Sequence, residues 1–231
     1  PIFPNSGMRL TGSIDFAGIG GNTNFLKPRF ENAQFKPLNR PMSVGYRAQI
    51  EYVRPYASTT VLPITETLYL GGEYTIRGFD IRSIGPRDLE TGLVLGGNKT
   101  LLFNAEYLIN IAGPVRLVLF ADTGQVRNIG QSFVWKEDIN VRIDPNVPPI
   151  VDPFTTTRFL PLNPALPSQQ KVGEAYAFKA STGAEVRFFM PVLNVPFRLI
   201  FAYNPSRFGV LDNNLQPAKK FTFKFAVGST F

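Results

Sequence analysis

One glycine-rich stretch carries the residues best suited to specific recognition. Residues 68–88 read LYLGGEYTIRGFDIRSIGPRD and contain Gly71, Gly72, Gly78 and Gly85, with Arg77-Gly78-Phe79 at the centre. Glycines at this density allow positive φ angles and close backbone approach, so such a loop can fold on itself and press against a wall. Its tyrosine, isoleucine and phenylalanine content favours a packed loop over a flexible surface loop. The chemistry that the stretch offers is ionic recognition by an arginine.

The composition argues against catalysis and metal binding. The 231 residues contain no Cys and no His, so thiolate sites, disulfides and the commonest acid–base and metal-binding side chain are absent. The GGNKT sequence at residues 96–100 lacks the spacing of a phosphate-binding loop and precedes a predicted strand rather than a helix. The sequence also has no GxSxG nucleophile elbow. We therefore expect no enzyme, no cofactor and no metal.

Length and charge indicate one domain with an anionic partner. Residues 1–231 fit a single barrel or sandwich, and the formal charge of +7 suits either nucleic acid or an acidic membrane surface. Because Lys and Arg form no basic run, we favour the membrane and expect no nucleic acid. The start, Pro1-Ile2-Phe3-Pro4, does not resemble a signal peptide, and no run of about 18 apolar residues predicts a transmembrane helix. The protein is then either soluble or spans a membrane with strands.

Alternation of apolar and polar residues predicts about eight strands. They lie at residues 8–16, 25–38, 43–53, 99–110, 115–126, 175–190, 197–204 and 221–231. The second of these is a weaker candidate, because it contains Pro28 and Pro37. Residues 127–172 are polar and hold seven prolines. This density disfavours helix and interior strand, so we predict a long external loop there.

The two faces of the strands identify the class of the sheet. The polar face is unusually charged and carries Arg9, Arg47, Glu51, Glu106, Asp122, Lys179, Glu185, Arg187, Arg198 and Lys224. The apolar face carries Phe and Tyr near strand ends, and short turns alternate with long loops. These features are typical of an all-β, antiparallel transmembrane barrel with lipid outside and a polar lumen. Such a sheet must close, because unpaired backbone groups in hydrocarbon are costly.

The loop sequence also resembles a known family. GGEYTIRGF followed by IGPRD is similar to the loop motif of the BamA-type outer-membrane insertases and their relatives, the translocators of two-partner secretion. Family members often have Val where Ile76 stands. The resemblance implies that the loop folds into the barrel lumen and that Arg77 contacts acidic residues on the two following strands, which match Glu106 and Asp122. Both carboxylates fall on the polar face, and one guanidinium can bind a carboxylate bidentately and so join a loop to a wall.

The C-terminal stretch KKFTFKFAVGSTF resembles outer-membrane barrels in its alternating aromatics. Phe221, Phe223, Phe225 and the terminal Phe231 match the signal by which new barrels are recognised. In the insertases a glycine near the end lets the last strand kink and loosen the seam with the first strand, and Gly228 matches it. Glycine at this point also permits a bend on chemical grounds. A plain small residue facing the lumen is the alternative interpretation.

The resemblance implies sixteen strands and soluble periplasmic repeats, whereas about eight strands and no repeat are expected in residues 1–231. An eight-stranded barrel has a lumen that side chains alone fill, so a loop of this size would hardly fit. We therefore favour the C-terminal half of a larger barrel over a small closed barrel. In the closed alternative the first and last strands must pair.

The expected function is the membrane part of a machine that folds and inserts outer-membrane proteins by strand addition at a weak seam. The alternatives are a translocation pore of the two-partner secretion type and a passive barrel fragment. The expected location is the bacterial outer membrane. Expected partners are outer-membrane lipid or lipopolysaccharide, unfolded outer-membrane protein clients, and assembly lipoproteins that would bind through periplasmic repeats.

Overall fold

We describe the protein as a computed structural model that covers residues 5–88, 91–141, 150–151, 158–159, 170–190 and 195–228. The strands are β1 Gly7–Ala17, β2 Phe25–Asn39, β3 Met42–Tyr52, β4 Arg54–Pro55, β5 Lys99–Ala112, β6 Val115–Arg127, β7 Lys136–Val141, β8 Ile150–Val151, β9 Arg158–Phe159, β10 Gln170–Tyr176, β11 Lys179–Met190, β12 Val195–Tyr203 and β13 Phe221–Val227. Over the same residues, no helix is long and apolar enough to cross a membrane.

One antiparallel sheet positions the site. Its strands follow the order β1-β2-β3-β5-β6-β11-β12-β13, and β4 pairs with β2 beside this path. These eight ordered strands agree with the number that alternation predicts. In the part of the chain that the structure describes, β1 pairs only with β2 and β13 only with β12. Among these described residues the sheet is therefore open, because its first and last strands do not pair with each other.

The sheet is polar on its covered face and apolar on its exposed face. On β5, for example, Asn104 and Glu106 are buried, whereas Phe103 points to the outside and is 43% exposed. On β6, Asp122 is buried and Leu119 is exposed. This arrangement is the inverse of a soluble sandwich and matches a membrane barrel wall, in which lipid contacts the apolar side.

The glycine-rich loop, residues 68–88, covers the polar face. Isolated bridges pair Leu70 with Ile84 and Leu68 with Gly97, so the loop has a backbone structure of its own. Its apolar side chains form the main core with residues of β5, β6 and the segment between β12 and β13: Leu70, Ile76, Phe79, Ile84, Leu102, Val126, Val210 and Ala218. The hydrophobic core thus lies between a loop and a sheet, and this packing holds the loop in place.

The sequence predicts a long external loop over residues 127–172, but the structure has strands in this segment. β7 pairs with β10 in an antiparallel hairpin, and the short strands β8 and β9 pair with each other. The seven prolines all lie between residues 145 and 167. β7 and β10 lie outside that range and keep the N–H groups that a ladder needs. The rest of the segment lies outside the described residues.

The prediction of a single strand over residues 175–190 is also wrong. β10 ends at Tyr176, and β11 begins at Lys179 and joins the main sheet instead. Between them, the Ala177 N–H donates to the Trp135 carbonyl at 2.9 Å. The alternating side chains run through this break, so periodicity alone does not reveal it.

Candidate functional site

Arg77 lies at the centre of a buried ionic cluster between the glycine-rich loop and the sheet. Its Nε and Nη2 atoms donate to the two oxygens of Asp122 at 2.8 and 2.7 Å. Its Nη1 donates to Glu106 at 2.7 Å and to Glu185 at 3.0 Å. The guanidinium also lies 3.9 Å from the centre of the Phe120 ring. One side chain therefore joins the loop to three neighbouring strands, β5, β6 and β11.

Two further arginines complete the cluster. Arg187 donates to both Glu106 and Glu185. Arg198 on β12 donates to the two oxygens of Glu185 at 2.7 and 3.0 Å. Three guanidinium groups thus face three carboxylates, and their formal charges cancel. Buried charges are tolerated only when they are paired and hydrogen-bonded in this way.

The electrostatics of Arg77 fit a structural anchor. Burial by itself lowers the pKa of Arg77, but the attraction of Asp122 and Glu106 outweighs it and raises the pKa above its ordinary value. The side chain is 0% exposed and stays charged. A guanidinium that cannot release its proton is a poor acid–base catalyst. The cluster can therefore hold the loop in one orientation.

Backbone contacts extend the same anchor. The Arg77 N–H donates to Asp122 at 3.1 Å, so Asp122 contacts both the side chain and the main chain of this residue. Asn104 on β5 donates to the Thr75 carbonyl at 2.6 Å and to Asp122 at 2.8 Å. The loop backbone is therefore fixed on both sides of Ile76 by β5 and β6.

The residues beside Arg77 fit their places closely. Gly71 and Gly72 both have φ +103°, a conformation that only glycine adopts without strain. A Cβ on Gly78 would overlap the side chains of Asn204 and Ser181. Phe79 is 1% exposed and belongs to the main core. The predicted motif residues therefore lie together, pressed against the sheet.

The loop also contacts the C-terminal strands. The Gly78 carbonyl accepts from Asn204 at 2.8 Å and from Thr222 on β13 at 3.1 Å. The Phe79 carbonyl accepts from Lys224. The loop is thus attached to β13 and to Asn204, the residue that follows β12, as well as to the strands that carry the carboxylates.

The C-terminal aromatics lie away from the ionic cluster. Phe221, Phe223 and Phe225 point to the exposed face and are 69%, 61% and 59% exposed. They stack on aromatic residues of β12, for example Phe225 on Phe197 with ring centres 5.6 Å apart. Gly228 follows the end of β13 and has φ +104°. Phe231 lies outside the described residues.

Alternation placed Glu185, Arg187 and Arg198 on the polar face but did not assign them to the Arg77 site. The sequence offered one signal for further partners, the number of N–H donors on Arg77. An arginine has five N–H donors, and two carboxylates do not engage all of them in their preferred geometry. Among the described residues, no group of three or more acidic side chains is arranged to hold a metal ion.

The sequence model of the Omp85 superfamily domain matches residues 1–231. An outer membrane protein assembly factor BamA of Nitratidesulfovibrio vulgaris is 30% identical over 140 residues, which are 59% of this chain and 18% of that protein. A SAM50-like protein of Drosophila melanogaster is 31% identical over 85 residues, covering 37% of this chain and 19% of that protein. The chain thus spans about a fifth of the length of these relatives.

A solved structure shares the fold. The crystal structure of BamA from Haemophilus ducreyi lacking POTRA domains 1–3 matches with a TM-score of 0.65 and 18% identity. The match covers 99% of this chain and 39% of that one. At this identity the likeness concerns the fold, and it extends over nearly all of the sheet and the loop.

Proposed function

We infer the function from one premise: this chain belongs to the Omp85 superfamily, whose domain covers residues 1–231. The predicted all-β antiparallel barrel fold is confirmed by the sheet and by its likeness to a solved BamA structure. The location in the bacterial outer membrane is confirmed by the family membership and by the bacterial relatives. We propose that residues 1–231 form the C-terminal part of the barrel domain of a larger protein.

We propose that the protein is an outer-membrane β-barrel assembly factor, which folds and inserts other barrels. Relatives named as BamA in two bacteria support this role. The observation that carries the proposal is the Arg77 cluster, in which buried ion pairs fix one loop to β5, β6 and β11. Beside this cluster, the outer edge of β13 carries no strand among the described residues. An unpaired strand edge is the arrangement that strand addition requires.

The mechanism needs no covalent step. An unfolded client strand would pair with backbone groups at an open edge, and the anchored loop would keep the neighbouring wall in shape. We expect outer-membrane lipid or lipopolysaccharide to contact the apolar face and unfolded outer-membrane proteins to be the clients. Assembly lipoproteins would bind outside the barrel domain. The chain has neither His nor Cys, and we expect no enzymatic activity.

Conditional depletion in the producing bacterium tests the proposal. The levels of several unrelated outer-membrane barrels are followed by their heat-dependent gel mobility, which separates folded from unfolded barrels. Assembly activity predicts that all of them fall together and recover when the wild-type gene is supplied. Loss of a single secreted protein with normal barrels would instead identify a translocation pore. No change in either would identify a passive barrel, and both results would refute the proposal.

A further inference from the structure

The backbone of β13 shows which of its groups are free to pair with another strand. Phe197 and Val227 lie opposite each other, and the next residue, Gly228, donates its N–H to the Pro196 carbonyl at 2.9 Å. In an antiparallel ladder this pattern makes Phe197 and Val227 a non-hydrogen-bonded pair. The N–H and C=O of Val227 therefore point away from β12, toward the open edge.

Because the pattern alternates along the strand, the same direction holds for every second residue. The edge of β13 thus offers the backbone groups of Phe221, Phe223, Phe225 and Val227. These are the groups that an added strand would use. The last acceptor of this row, the Val227 carbonyl, already accepts a hydrogen bond.

Tyr74 of the glycine-rich loop occupies this last acceptor. Its hydroxyl donates to the Val227 carbonyl at 2.8 Å, although the two residues are 153 positions apart in sequence. A Cβ built on the following residue, Gly228, would lie 3.5 Å from the same hydroxyl. The contact therefore lies where β13 ends and the backbone turns with φ +104°.

Arginines of β3 and β12 hold Tyr74 in position. Arg47 on β3 donates to the Tyr74 carbonyl at 2.9 Å. Arg198 on β12 donates to the carbonyl of the preceding residue, Glu73, at 3.1 Å, and its guanidinium lies 5.9 Å from the centre of the Tyr74 ring. Arg198 also belongs to the Arg77 cluster. The tyrosine is thus aimed at the strand edge by the same anchor that fixes the loop.

We propose that Tyr74 caps the open edge of β13: its hydroxyl occupies the Val227 carbonyl, holds the strand end at the bend, and ends strand pairing at Phe225. The proposal rests on the assembly function proposed above and assigns Tyr74 as a positioning residue of the seam. An incoming strand would find Phe221, Phe223 and Phe225 available and would have to displace Tyr74 to continue further. The loop would in this way set how far pairing extends.

The first test removes only the hydroxyl. Amide hydrogen exchange is measured residue by residue for the protein in lipid nanodiscs, without any client. We expect Tyr74→Phe to speed exchange of the Gly228 amide by about fivefold to tenfold, since one hydrogen bond that holds the strand end is lost. Tyr69→Phe is the matched control, because the hydrogen bonds of the Tyr69 hydroxyl within the described part of the chain join it to Ile64, Thr67 and Leu95, none of which lies on β13. It should leave exchange of Gly228 unchanged.

Unchanged exchange in Tyr74→Phe, or an equal effect of both variants, would overturn the proposal. A second measurement does not depend on the folding of that variant: a photo-crosslinking benzoyl-phenylalanine is placed at position 74 and activated in membranes. The cap predicts crosslinks to the C-terminal peptide that contains Val227, and crosslinks only to other peptides would contradict it. Both readouts are independent of client insertion, so failure of the cap and failure of the assembly function give separate results.

Discussion

A double-mutant cycle on Arg77 and Asp122 measures how firmly the loop is anchored. Arg77→Met removes four hydrogen bonds from the guanidinium to three buried carboxylates. The three carboxylates then face only two guanidinium groups, those of Arg187 and Arg198. We expect the free energy of unfolding to fall by about 3–5 kcal/mol, the usual cost of leaving a buried charge without its partner.

The structure also predicts which carboxylate loses most of its ionic contacts in Arg77→Met. Glu106 keeps Arg187, and Glu185 keeps Arg187 and Arg198. Asp122 loses both bonds of the bidentate pair and keeps two uncharged donors, the Asn104 amide and the backbone N–H of residue 77. Replacing Asp122 by Asn in the Arg77→Met background removes this stranded charge. The double variant should therefore be more stable than the sum of the single changes predicts, by about 1–3 kcal/mol.

The assay is urea unfolding of the protein in lipid vesicles, followed by the mobility shift between folded and unfolded barrels in unheated gels. Arg82→Met is the matched control, because Arg82 lies in the same loop, is exposed, and stacks 5.4 Å from the centre of the Tyr69 ring. Its effect should stay below about 1 kcal/mol. A coupling between Arg77 and Asp122 below about 0.5 kcal/mol would refute the reasoning, since the two groups would then be energetically independent.

Three further variants test other parts of the anchor. Gly78→Ala should cost about 1–3 kcal/mol by overpacking, whereas Gly12→Ala, where a Cβ meets no atom within 4 Å, should be neutral in the same titration. Glu185→Gln leaves three buried guanidinium groups facing two carboxylates and should cost about 3–5 kcal/mol, against less than about 1 kcal/mol for Glu174→Gln, whose pair with Lys136 at 3.8 Å is largely exposed. Phe79→Ala should cost about 3–5 kcal/mol and increase cleavage of the loop by added protease. Unchanged cleavage would show that core packing does not hold the loop.

The faces of the strands could be predicted from the sequence because alternation is a local property. The direction of Phe103 and Glu106, for example, follows from their positions in one strand. Alternation does not give the depth of a residue in the sheet, because depth depends on pairing with distant strands. Glu185 lies opposite Val118 in the observed register, and only that register brings it to Arg77, from which it is 108 positions apart in sequence.

Arg77, Glu106 and Asp122 were selected by resemblance, and the structure brings these three side chains together. Assigning Arg187 and Arg198 to the site requires the pairing of β11 and β12, which the sequence alone does not supply. The hairpin of β7 and β10 was missed for another reason. Prolines between residues 145 and 167 dominated the interpretation of a longer segment, although their effect on pairing is confined to their own neighbourhood.

The most direct measurement for the central claim is a cryo-electron microscopy structure of the protein in lipid nanodiscs. The account predicts that the glycine-rich loop covers the polar face of the sheet. Density should join Arg77 to Asp122 and Glu106 at hydrogen-bonding distance. A loop displaced from the sheet, with Arg77 in solvent and the three carboxylates paired only with Arg187 and Arg198, would contradict the account.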